Sequence, residues 1–565
     1  MVSKNKLRAV FAAALTVLMG SALATPALGA GEGGTDGPGA PGGSSVQSST
    51  AVPPASGDLV IHKFIGAPVG ATDRNGTKLD TSGWTSATPA NGVVFDLYQV
   101  GPPAAVTPPA DPWPDVPPLG TYVKNASTLE VYSGTTLIGE YGLTAASTAS
   151  VMTATDGTGT ASGLPQGLYL VIENAAASTK ITNANTGATM HISQTAAPFV
   201  VPVPMTNPTG DGWLDVVHVY PKNEALTVEK VVDQAGAVAV GDTVHYTITT
   251  SVPSDIAGSK KFEVFDKLDA ALDLVQSSVT VATVPALTGS DALVSGTDYT
   301  ISWDDPTRKM LVSFNASGLT KLAKATSVVV ELDSKINAKI LDSADLSVPN
   351  VANVEFTNGD GTDFASESEP PSGETSDIHT AAIKITKVDQ AGQPLNGAKF
   401  KLASSEANAK AGQFLRIDPA TKAIADYDAS PTSAWTTLGA ANDYEISPAN
   451  SASFVGLRDF VEAGGVKTWQ TYWVVETAAP ATFNMLSQPV KADFEDAFNQ
   501  SADPGKFDHV YSATVKNSQG FMLPETGGAG TIAWTVAGVV LVGVAALLVA
   551  TRRKKDATEY KDAAE

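Results

Sequence analysis

The feature that most constrains the fold is a long succession of short alternating segments. From Asp58 onward, segments rich in Val, Ile, Thr and Tyr alternate apolar with polar residues, and Gly, Asn, Asp and Pro separate them. Few stretches keep the period of a helix. Alternation with a period of two is typical of strands with one buried face, and many short strands joined by turns are typical of β-sandwiches. The sequence therefore predicts an all-β fold.

The length of the chain indicates how many such units it contains. A chain of 565 residues is long enough for about three or four domains. We predict three tandem immunoglobulin-like β-sandwiches. In chain order the predicted organisation is a signal peptide at 1–30, a Gly-, Pro- and Ser-rich leader at 31–56, sandwiches at 57–223 and 224–365, a linker at 366–380, a third sandwich at 381–521 and a sorting segment at 523–565.

The N-terminus predicts export. Lys4, Lys6 and Arg8 precede a short apolar segment, and small residues follow it, which is typical of a secretory signal peptide. We expect the mature chain to begin between Thr25 and Gly31. The chain has no cysteine, so an exported protein of this kind cannot use disulfides, and any covalent reinforcement needs other chemistry. The net charge of -22 argues against nucleic acid as a partner.

Three lysines lie on the apolar face of a predicted strand, one near the start of each predicted sandwich. Residues two apart on a strand point to the same face, so these lysines share a face with buried residues. Lysine is almost never fully buried without a partner. Each lysine therefore needs one. The three in-phase sets are Lys63 with Leu59 and Ile61, Lys230 with Leu226, Val228 and Val232, and Lys387 with Ile383 and Ile385.

The same parity argument places one acid and one asparagine opposite each lysine. Desolvation lowers the pKa of an amine and raises the pKa of a carboxyl, which favours the neutral pair. A neutral amine can attack the asparagine side-chain carbonyl while the acid moves protons to the leaving ammonia. The product is a Lys–Asn isopeptide bond. The predicted trios are Lys63, Glu173 and Asn223; Lys230, Asp266 and Asn350; and Lys387, Glu476 and Asn517.

A second interpretation of the trios stays open. Each lysine could form a buried ion pair with its acid, with the asparagine beside it, although such pairs often contribute little net stability. The repetition of the pattern favours the covalent bond for the middle and third sandwiches. For the first sandwich the two interpretations are close to even, because the Lys63 strand is short and its loops are long and rich in proline.

The C-terminus carries a sorting signal. An apolar run from Ile532 to Ala550 precedes the basic residues 552–555, and a run of this length can cross a bilayer with the basic cluster on the cytoplasmic side. A plain membrane anchor is the simpler interpretation. However, the preceding pentapeptide resembles the LPXTG signal that sortases of Gram-positive bacteria cut between Thr and Gly. Its residues are Leu523, Pro524, Glu525, Thr526 and Gly527.

Two further motifs extend this resemblance along the chain. Residues 213–222 resemble the pilin motif WxxxVxVYPK, and 472–480 resemble the E-box around Glu476. The chain is thus similar to major pilins of the SpaA type and to type 1 or type 2 fimbrial shaft subunits. The resemblance implies domains of the CnaA/CnaB type. The fixed positions of the pilin motif are Trp213, Val217, Val219, Tyr220, Pro221 and Lys222.

The resemblance implies covalent polymerisation at the cell surface. A sortase would transfer the acyl group of Thr526 to the amine of Lys222 on a neighbouring copy. Lys222 has the opposite parity to Val217 and Val219, so we expect it to face outward. The implied partners are a pilus-specific sortase, a housekeeping sortase, other copies of the chain, tip and basal pilins, and peptidoglycan. The implied location is a cell wall-anchored pilus.

Other functions have less support. A basal or tip pilin and a monomeric wall-anchored adhesin remain alternatives to the shaft subunit, and no residue identifies a host ligand. We predict no enzymatic turnover and no cofactor. We also predict no metal, because the histidines are scattered without a pair at ligand spacing. They are His62, His191, His218, His245, His379 and His509.

Overall fold

The computed structural model describes ten segments of the chain. They are residues 47–48, 52–66, 75–103, 117–232, 237–343, 346–368, 378–463, 466–501, 507–520 and 529–559. The predicted signal peptide at 1–30, most of the leader at 31–56, part of the linker at 366–380 and the LPXTG-like residues 523–527 lie outside the described residues.

The N-terminal sandwich comprises seventeen strands, β1 to β17. Their bounds are Gln47–Ser48, Ser56–His62, Phe64–Ile65, Thr88–Asn91, Val94–Pro103, Thr121–Asn125, Thr128–Ser133, Thr136–Met152, Thr158–Pro165, Gly167–Glu173, Thr182–Asn183, Ile192–Gln194, Phe199–Val203, Met205–Thr206, Trp213–Leu214, Val216–Val219 and Lys222–Ala225.

Its larger sheets bring the start and the end of this part of the chain together. One sheet has the order β13-β10-β5-β8-β7-β6, a second β11-β4-β3-β17-β12 and a third β16-β2-β9. The early strands β2 and β3 pair in parallel with the late strands β16 and β17. Leu59, Phe95 and Tyr169 are fully buried between the sheets. The alternating apolar residues of these strands thus form one core.

The middle sandwich contains β18 to β28 and helix α1 (Ala316–Leu322). Ten of the strands form two sheets, β18-β19-β25-β21 with β22 beside β25, and β23-β24-β20-β27-β28, while β26 pairs with β29 outside them. Burial alternates strictly along β20, which places Phe262, Val264 and Asp266 inside. The strand bounds are Val228–Val232, Thr243–Ser251, Lys261–Lys267, Leu272–Leu274, Thr280–Val284, Tyr299–Asp304, Lys309–Phe314, Ser327–Ile336, Ser347–Val348, Ala352–Thr357 and Asp363–Glu367.

The C-terminal sandwich contains β30 to β40, preceded by β29 (Ile378–His379). Its main sheets have the orders β35-β30-β40 and β34-β31-β38-β39, and β30 pairs in parallel with β40. The strand bounds are Ala381–Asp389, Lys399–Ala403, Arg416–Ile417, Ile424–Ala425, Glu445–Ile446, Ser451–Leu457, Phe460–Ala463, Val466–Trp469, Thr471–Ala478, Val490–Asp493 and Val510–Asn517.

The helices are few and short, apart from one at the C-terminus. Helix α2 is Glu406–Ala411, α3 is Ala434–Leu438, α4 is Phe494–Gln500 and α5 is Ala529–Glu559. The 3-10 helices span Thr155–Gly157, Ile256–Gly258, Gln276–Ser278, Gly289–Asp291, Ala338–Asp342 and Ala440–Asn442.

The C-terminal helix α5 covers the predicted membrane-spanning run from Ile532 to Ala550. Within the part of the chain that the structure describes, we find no helix that combines the length and the apolar character needed to cross a membrane. The predicted membrane span is therefore not confirmed.

The junction before the C-terminal sandwich is ordered by β29. This strand lies in the predicted linker, yet it pairs with β26 of the middle sandwich, and Val238 N–H donates to His379 O at 2.9 Å. Arg458 of the C-terminal sandwich forms an ion pair with Asp242 of the middle one. The division into three domains is a proposal. These contacts connect the middle sandwich to the C-terminal sandwich.

Candidate cross-linking sites

The first trio meets in the core of the N-terminal sandwich. Lys63 lies between β2 and β3, Glu173 ends β10, and Asn223 lies on β17. Lys63 Nζ is 2.7 Å from Glu173 Oε2 and also contacts Asn223 Oδ1, while Asn223 Nδ2 donates to Glu173 Oε1 at 2.5 Å. The lysine and glutamate side chains are both fully buried. The amine, the acid and the amide are therefore all in mutual contact.

Burial controls the charge of this amine. Desolvation lowers the pKa of Lys63 from its ordinary value to about 8, although the charge of Glu173 and the hydrogen bond to it oppose the shift. A larger share of this amine is therefore neutral near neutral pH than is usual for lysine. The neutral form is the one that can act as a nucleophile.

The second trio joins the two sheets of the middle sandwich. Lys230 on β18 forms an ion pair with Asp266 on β20, which belongs to the opposite sheet. Asn350 Nδ2 donates to Asp266 Oδ2 at 3.5 Å. Burial is the largest cause of the lowered pKa of Lys230 and of the raised pKa of Asp266. The three side chains therefore converge in the core, where burial disfavours the charged forms of the Lys230 amine and the Asp266 carboxyl.

The alternation of Val348, Asn350, Ala352, Val354 and Phe356 predicts that Asn350 lies on the last strand of the middle sandwich, and the structure differs from this prediction. Asn350 lies between β26 and β27, and β28 follows β27 at the sheet edge. The parity of Ala352, Val354 and Phe356 is as expected, but the strand begins only at Ala352. The alternating pattern extends beyond the hydrogen-bonded ladder, so it could not locate the start of the strand.

Three buried oxygen atoms at the trios lack hydrogen-bond donors among the described residues: Asp266 Oδ1, Asn350 Oδ1 and Asn517 Oδ1. A buried acceptor without a donor costs about 1–3 kcal/mol. A protonated carboxyl has a hydrogen that it can donate, whereas a carboxylate has none. The raised pKa of Asp266 favours the form that could act as a donor within its trio.

The third trio has a different set of contacts. Glu476 on β38 accepts from Asn517 Nδ2 at 2.8 Å to Oε1 and 3.1 Å to Oε2. Lys387 on β30 is fully buried, but its Nζ donates to backbone carbonyls, at 3.2 Å to Val515 O. Burial lowers the pKa of Lys387, and the charge of Glu476 opposes this. The acid and the amide are in contact, while the amine hydrogen-bonds the backbone of β40, the strand that carries Asn517.

Lys222 lies at the start of β17 and lines an apolar groove of about 660 Å³. Asn223, the next residue, is buried, whereas Lys222 is half-buried. Lys222 Nζ is 5.7 Å from the ring centroid of Trp84. Aromatic and aliphatic side chains supply most of the groove wall, including Phe199 and Met205. The amine therefore borders a surface that can hold an apolar segment of another chain.

Of the six fixed pilin-motif residues, all except Trp213 line this groove. Trp213 lies on β15, and Val217 and Val219 lie on β16. Val217 is fully buried, and Pro221 is buried beside Lys222. The motif thus combines core residues with residues that line the groove.

Tyr220 connects the groove to a loop of the same sandwich. Its hydroxyl accepts a hydrogen bond from Leu79 N–H at 2.6 Å, and its ring stacks on His62 with centroids 4.7 Å apart. Tyr220→Phe leaves a part-buried backbone donor unpaired, so we expect the free energy of unfolding of this sandwich to fall by about 1–3 kcal/mol. Denaturant unfolding followed by tryptophan fluorescence measures the change.

Tyr132→Phe is the matched control for Tyr220→Phe. Tyr132 lies in the same sandwich, and its hydroxyl donates to Glu130 at a surface position. We expect its removal to lower the stability much less than Tyr220→Phe does, because water can replace the lost hydrogen bond. Equal effects of the two variants would contradict the role given to Tyr220.

Sequence spacing missed two histidine clusters. His62 Nε2 and His218 Nδ1 are 2.9 Å apart, although 156 positions separate them in the chain. His379 and His509 contact the same carboxylate, that of Asp459. The histidines have no pair at ligand spacing along the sequence, yet the fold brings these side chains together. No local pattern could have shown these pairs, because each joins distant strands.

Comparisons with known proteins show which families and proteins this chain is similar to. Residues 54–224 match the family described as Gram-positive pilin subunit D1, N-terminal domain, and residues 515–557 match the LPXTG cell wall anchor motif. Fimbrial subunit type 2 of Actinomyces naeslundii is 29% identical over 533 residues, covering 89% of this chain and 90% of that protein. These comparisons support an LPXTG-anchored Gram-positive pilin. This pilin is a subunit of a cell wall-anchored surface fimbria.

Other pilins are similar as well. Fimbrial subunit type 1 of Actinomyces viscosus is 28% identical over 401 residues, covering 65% of this pilin and 71% of that protein. The solved structure of the full-length major pilin SpaD from Corynebacterium diphtheriae aligns with 84% of this pilin and 100% of that chain. Its TM-score is 0.46 and its sequence identity is 22%.

Proposed function

We propose that this pilin forms a covalent shaft in which a sortase joins Thr526 of one copy to Lys222 of the next. We further propose that Lys–Asn isopeptide bonds reinforce each copy. The observation that carries the first proposal is the contrast between two adjacent residues of β17. Asn223 is buried with Lys63 and Glu173, whereas Lys222 lines the groove.

The joining step is an acyl transfer. The amide bond between Thr526 and Gly527 breaks, and Gly527 leaves with the amine and the rest of the C-terminal segment. The sortase holds the Thr526 acyl group until Lys222 Nζ attacks its carbonyl and loses a proton. A new amide bond then links the two copies, so no external energy source is required.

The groove beside Lys222 supports this assignment. Its volume of about 660 Å³ falls within the usual range of binding pockets, roughly 300–1,000 Å³. Its apolar wall suits an apolar part of an incoming segment, and Leu523 and Pro524 precede the acyl donor in the sequence. The acceptor amine therefore lies where a sortase-bound chain end could be presented to it.

The internal bonds follow from the trios. Lysine Nζ attacks the asparagine Cγ, the Cγ–Nδ2 bond breaks, and Nδ2 leaves as ammonia. The acid, which is Glu173, Asp266 or Glu476, hydrogen-bonds the reacting carbonyl and moves the protons. The burial of all three lysine side chains supports this chemistry, because it favours their neutral form. Each bond forms once, without turnover.

The remaining partners follow from the same acyl chemistry. A pilus-specific sortase would make the Thr526–Lys222 links, and a housekeeping sortase would transfer the last acyl group to peptidoglycan. Tip and basal pilins would occupy the two ends of the fibre. The shaft subunit itself needs no cofactor for these steps.

The intact mass of the purified protein tests the internal bonds. We expect a deficit of three ammonias relative to the mass calculated from the sequence, because each bond releases one. Peptide mapping should recover Lys63 linked to Asn223, Lys230 to Asn350 and Lys387 to Asn517. Asn350→Ala is expected to reduce the deficit by one ammonia and to remove only the middle cross-linked peptide.

The mass experiment also separates the two interpretations of the trios. A deficit of two would mean that one trio is not bonded, and the peptide map would identify it. No deficit would mean that the lysines are only ion-paired or hydrogen-bonded, which would overturn the proposal of internal bonds.

A further inference from the structure

Two histidines and one aspartate converge at the junction between the middle and C-terminal sandwiches. His379 lies on β29, Asp459 lies between β35 and β36, and His509 precedes β40. His379 Nε2 is 3.1 Å from Asp459 Oδ1, and His509 Nδ1 is 2.7 Å from Asp459 Oδ2. One nitrogen from each histidine and one carboxylate oxygen all lie within 4.8 Å of one another.

The cluster is shielded from solvent. The Asp459 side chain is fully buried, the His379 side chain is 4% exposed and the His509 side chain is 16% exposed. Phe460 packs near His379, with ring centroids 5.8 Å apart, and Phe507 packs near His509 at 5.1 Å. The two imidazole rings stack with centroids 3.7 Å apart. These contacts fix the orientation of both rings toward one carboxylate.

Each oxygen of the Asp459 carboxylate lies within hydrogen-bonding distance of a different imidazole nitrogen, Oδ1 of His379 Nε2 and Oδ2 of His509 Nδ1. The junction thus contains an anionic oxygen ligand and two imidazole nitrogens in a fixed arrangement. Two imidazoles and a carboxylate form a donor set that suits zinc and related divalent metals.

We propose that His379, Asp459 and His509 bind one divalent transition-metal ion of the zinc class. His379 Nε2, His509 Nδ1 and one oxygen of Asp459 are the ligands, and water takes the remaining position. The metal takes the place of the hydrogens directed at Asp459, and each hydrogen moves through solvent to the other ring nitrogen of its imidazole. Each imidazole then binds as the neutral tautomer, with its proton on the other ring nitrogen.

The metal would add a coordination link between two parts of the pilin that already share backbone hydrogen bonds. His379 lies on a strand that pairs with β26 of the middle sandwich, whereas Asp459 and His509 belong to the C-terminal sandwich. The Arg458–Asp242 ion pair crosses the same junction, one residue from Asp459. A bound ion therefore fixes the junction that the isopeptide trios, each contained in one sandwich, leave uncrosslinked.

Titration of the chelator-treated pilin with Zn²⁺ tests the site. Isothermal titration calorimetry is expected to show one ion per chain, and thermal unfolding is expected to shift upward with Zn²⁺ concentration because only the folded chain presents the site. Co²⁺ is expected to give visible absorption bands with nitrogen and oxygen ligands. These bands report coordination directly, independently of stability.

Variants of the cluster decide whether the ion binds there. His509→Asn keeps an amide donor for Asp459, so it is expected to fold, yet Zn²⁺ affinity should fall at least about 100-fold because a ligand is lost. His379→Ala/His509→Asn should lose the Co²⁺ bands. His245→Ala is the matched control, since His245 also contacts an aspartate, Asp333, but without a second histidine.

Two results would overturn the metal site. Absence of binding at millimolar Zn²⁺ would leave the cluster as a hydrogen-bonded network only. Unchanged Zn²⁺ affinity and Co²⁺ bands in His379→Ala/His509→Asn would place the ion elsewhere.

Discussion

Lys222→Arg is expected to abolish the high-molecular-weight ladder of wall-released pilin and to leave only the monomer. Arginine preserves the positive charge and the long apolar stem that borders the groove. However, the guanidinium stays protonated at any pH compatible with assembly, so it supplies no nucleophile. The measurement is an immunoblot of wall extracts under denaturing conditions, in which covalent polymers stay intact.

The control for this variant is Lys78→Arg. Lys78 is exposed and lies between Thr77 and Leu79, which both line the groove. It is therefore the lysine that could replace Lys222 if position near the groove were sufficient. We expect a normal ladder from Lys78→Arg and an unchanged unfolding temperature for both variants. A ladder of normal length from Lys222→Arg would assign the acceptor to another amine.

The second large effect is expected from Asp266→Ala. The proposed bond from Lys230 to Asn350 closes a loop of about 120 residues. By the chain-entropy relation for cross-links, losing it costs about 5 kcal/mol. The variant also leaves the Lys230 amine buried without its acid, which adds to the loss. We expect a folded middle sandwich with one more ammonia in its mass, a much lower unfolding temperature and rapid cleavage by trypsin.

Two further variants separate the bond from the ion pair. Asn350→Ala removes the acyl group but keeps the Lys230–Asp266 contact, so it destabilises strongly only if the covalent bond exists. Glu355→Ala removes an acid that pairs with Lys261 at 2.7 Å on strands of the same sheet, with both side chains more than one-third exposed. It should change the stability by less than about 1 kcal/mol. Unchanged unfolding and mass in Asp266→Ala would refute the bond.

Strand parity was sufficient to predict the all-β fold and to place Lys63 and Asp266 in apolar interiors. It works because each strand of a sandwich has one buried face, so a charged residue in phase with that face marks a special position. Parity could not predict which sheet each strand joins. In the first trio Asn223 lies on β17, which pairs with the strand that follows Lys63, and Glu173 lies on a strand of a different sheet, β10. In the middle trio the lysine and the acid lie on opposite sheets.

Features that depend on contacts between residues far apart in the chain could not be predicted from the sequence. The groove beside Lys222 combines residues from loops near Thr77 with strands β13 and β16. The histidine cluster combines His379 and His509, which are 130 positions apart. Lys387 is buried as parity predicted, yet its amine hydrogen-bonds a neighbouring backbone carbonyl. Side-chain rotamers and loop paths decide such details, and neither leaves a periodic pattern.

The parallel pairing of β30 with β40 has a consequence for how the surface of the fibre can vary. Parallel strands place the chain's arrival and departure at opposite ends of the C-terminal sandwich, and Lys387 and Asn517 lie on these two strands. With the proposed bond in place, tension passes directly from one strand to the other. The roughly 130 residues between them then bear almost no tension. Their exposed loops are therefore free to change in sequence without weakening the fibre.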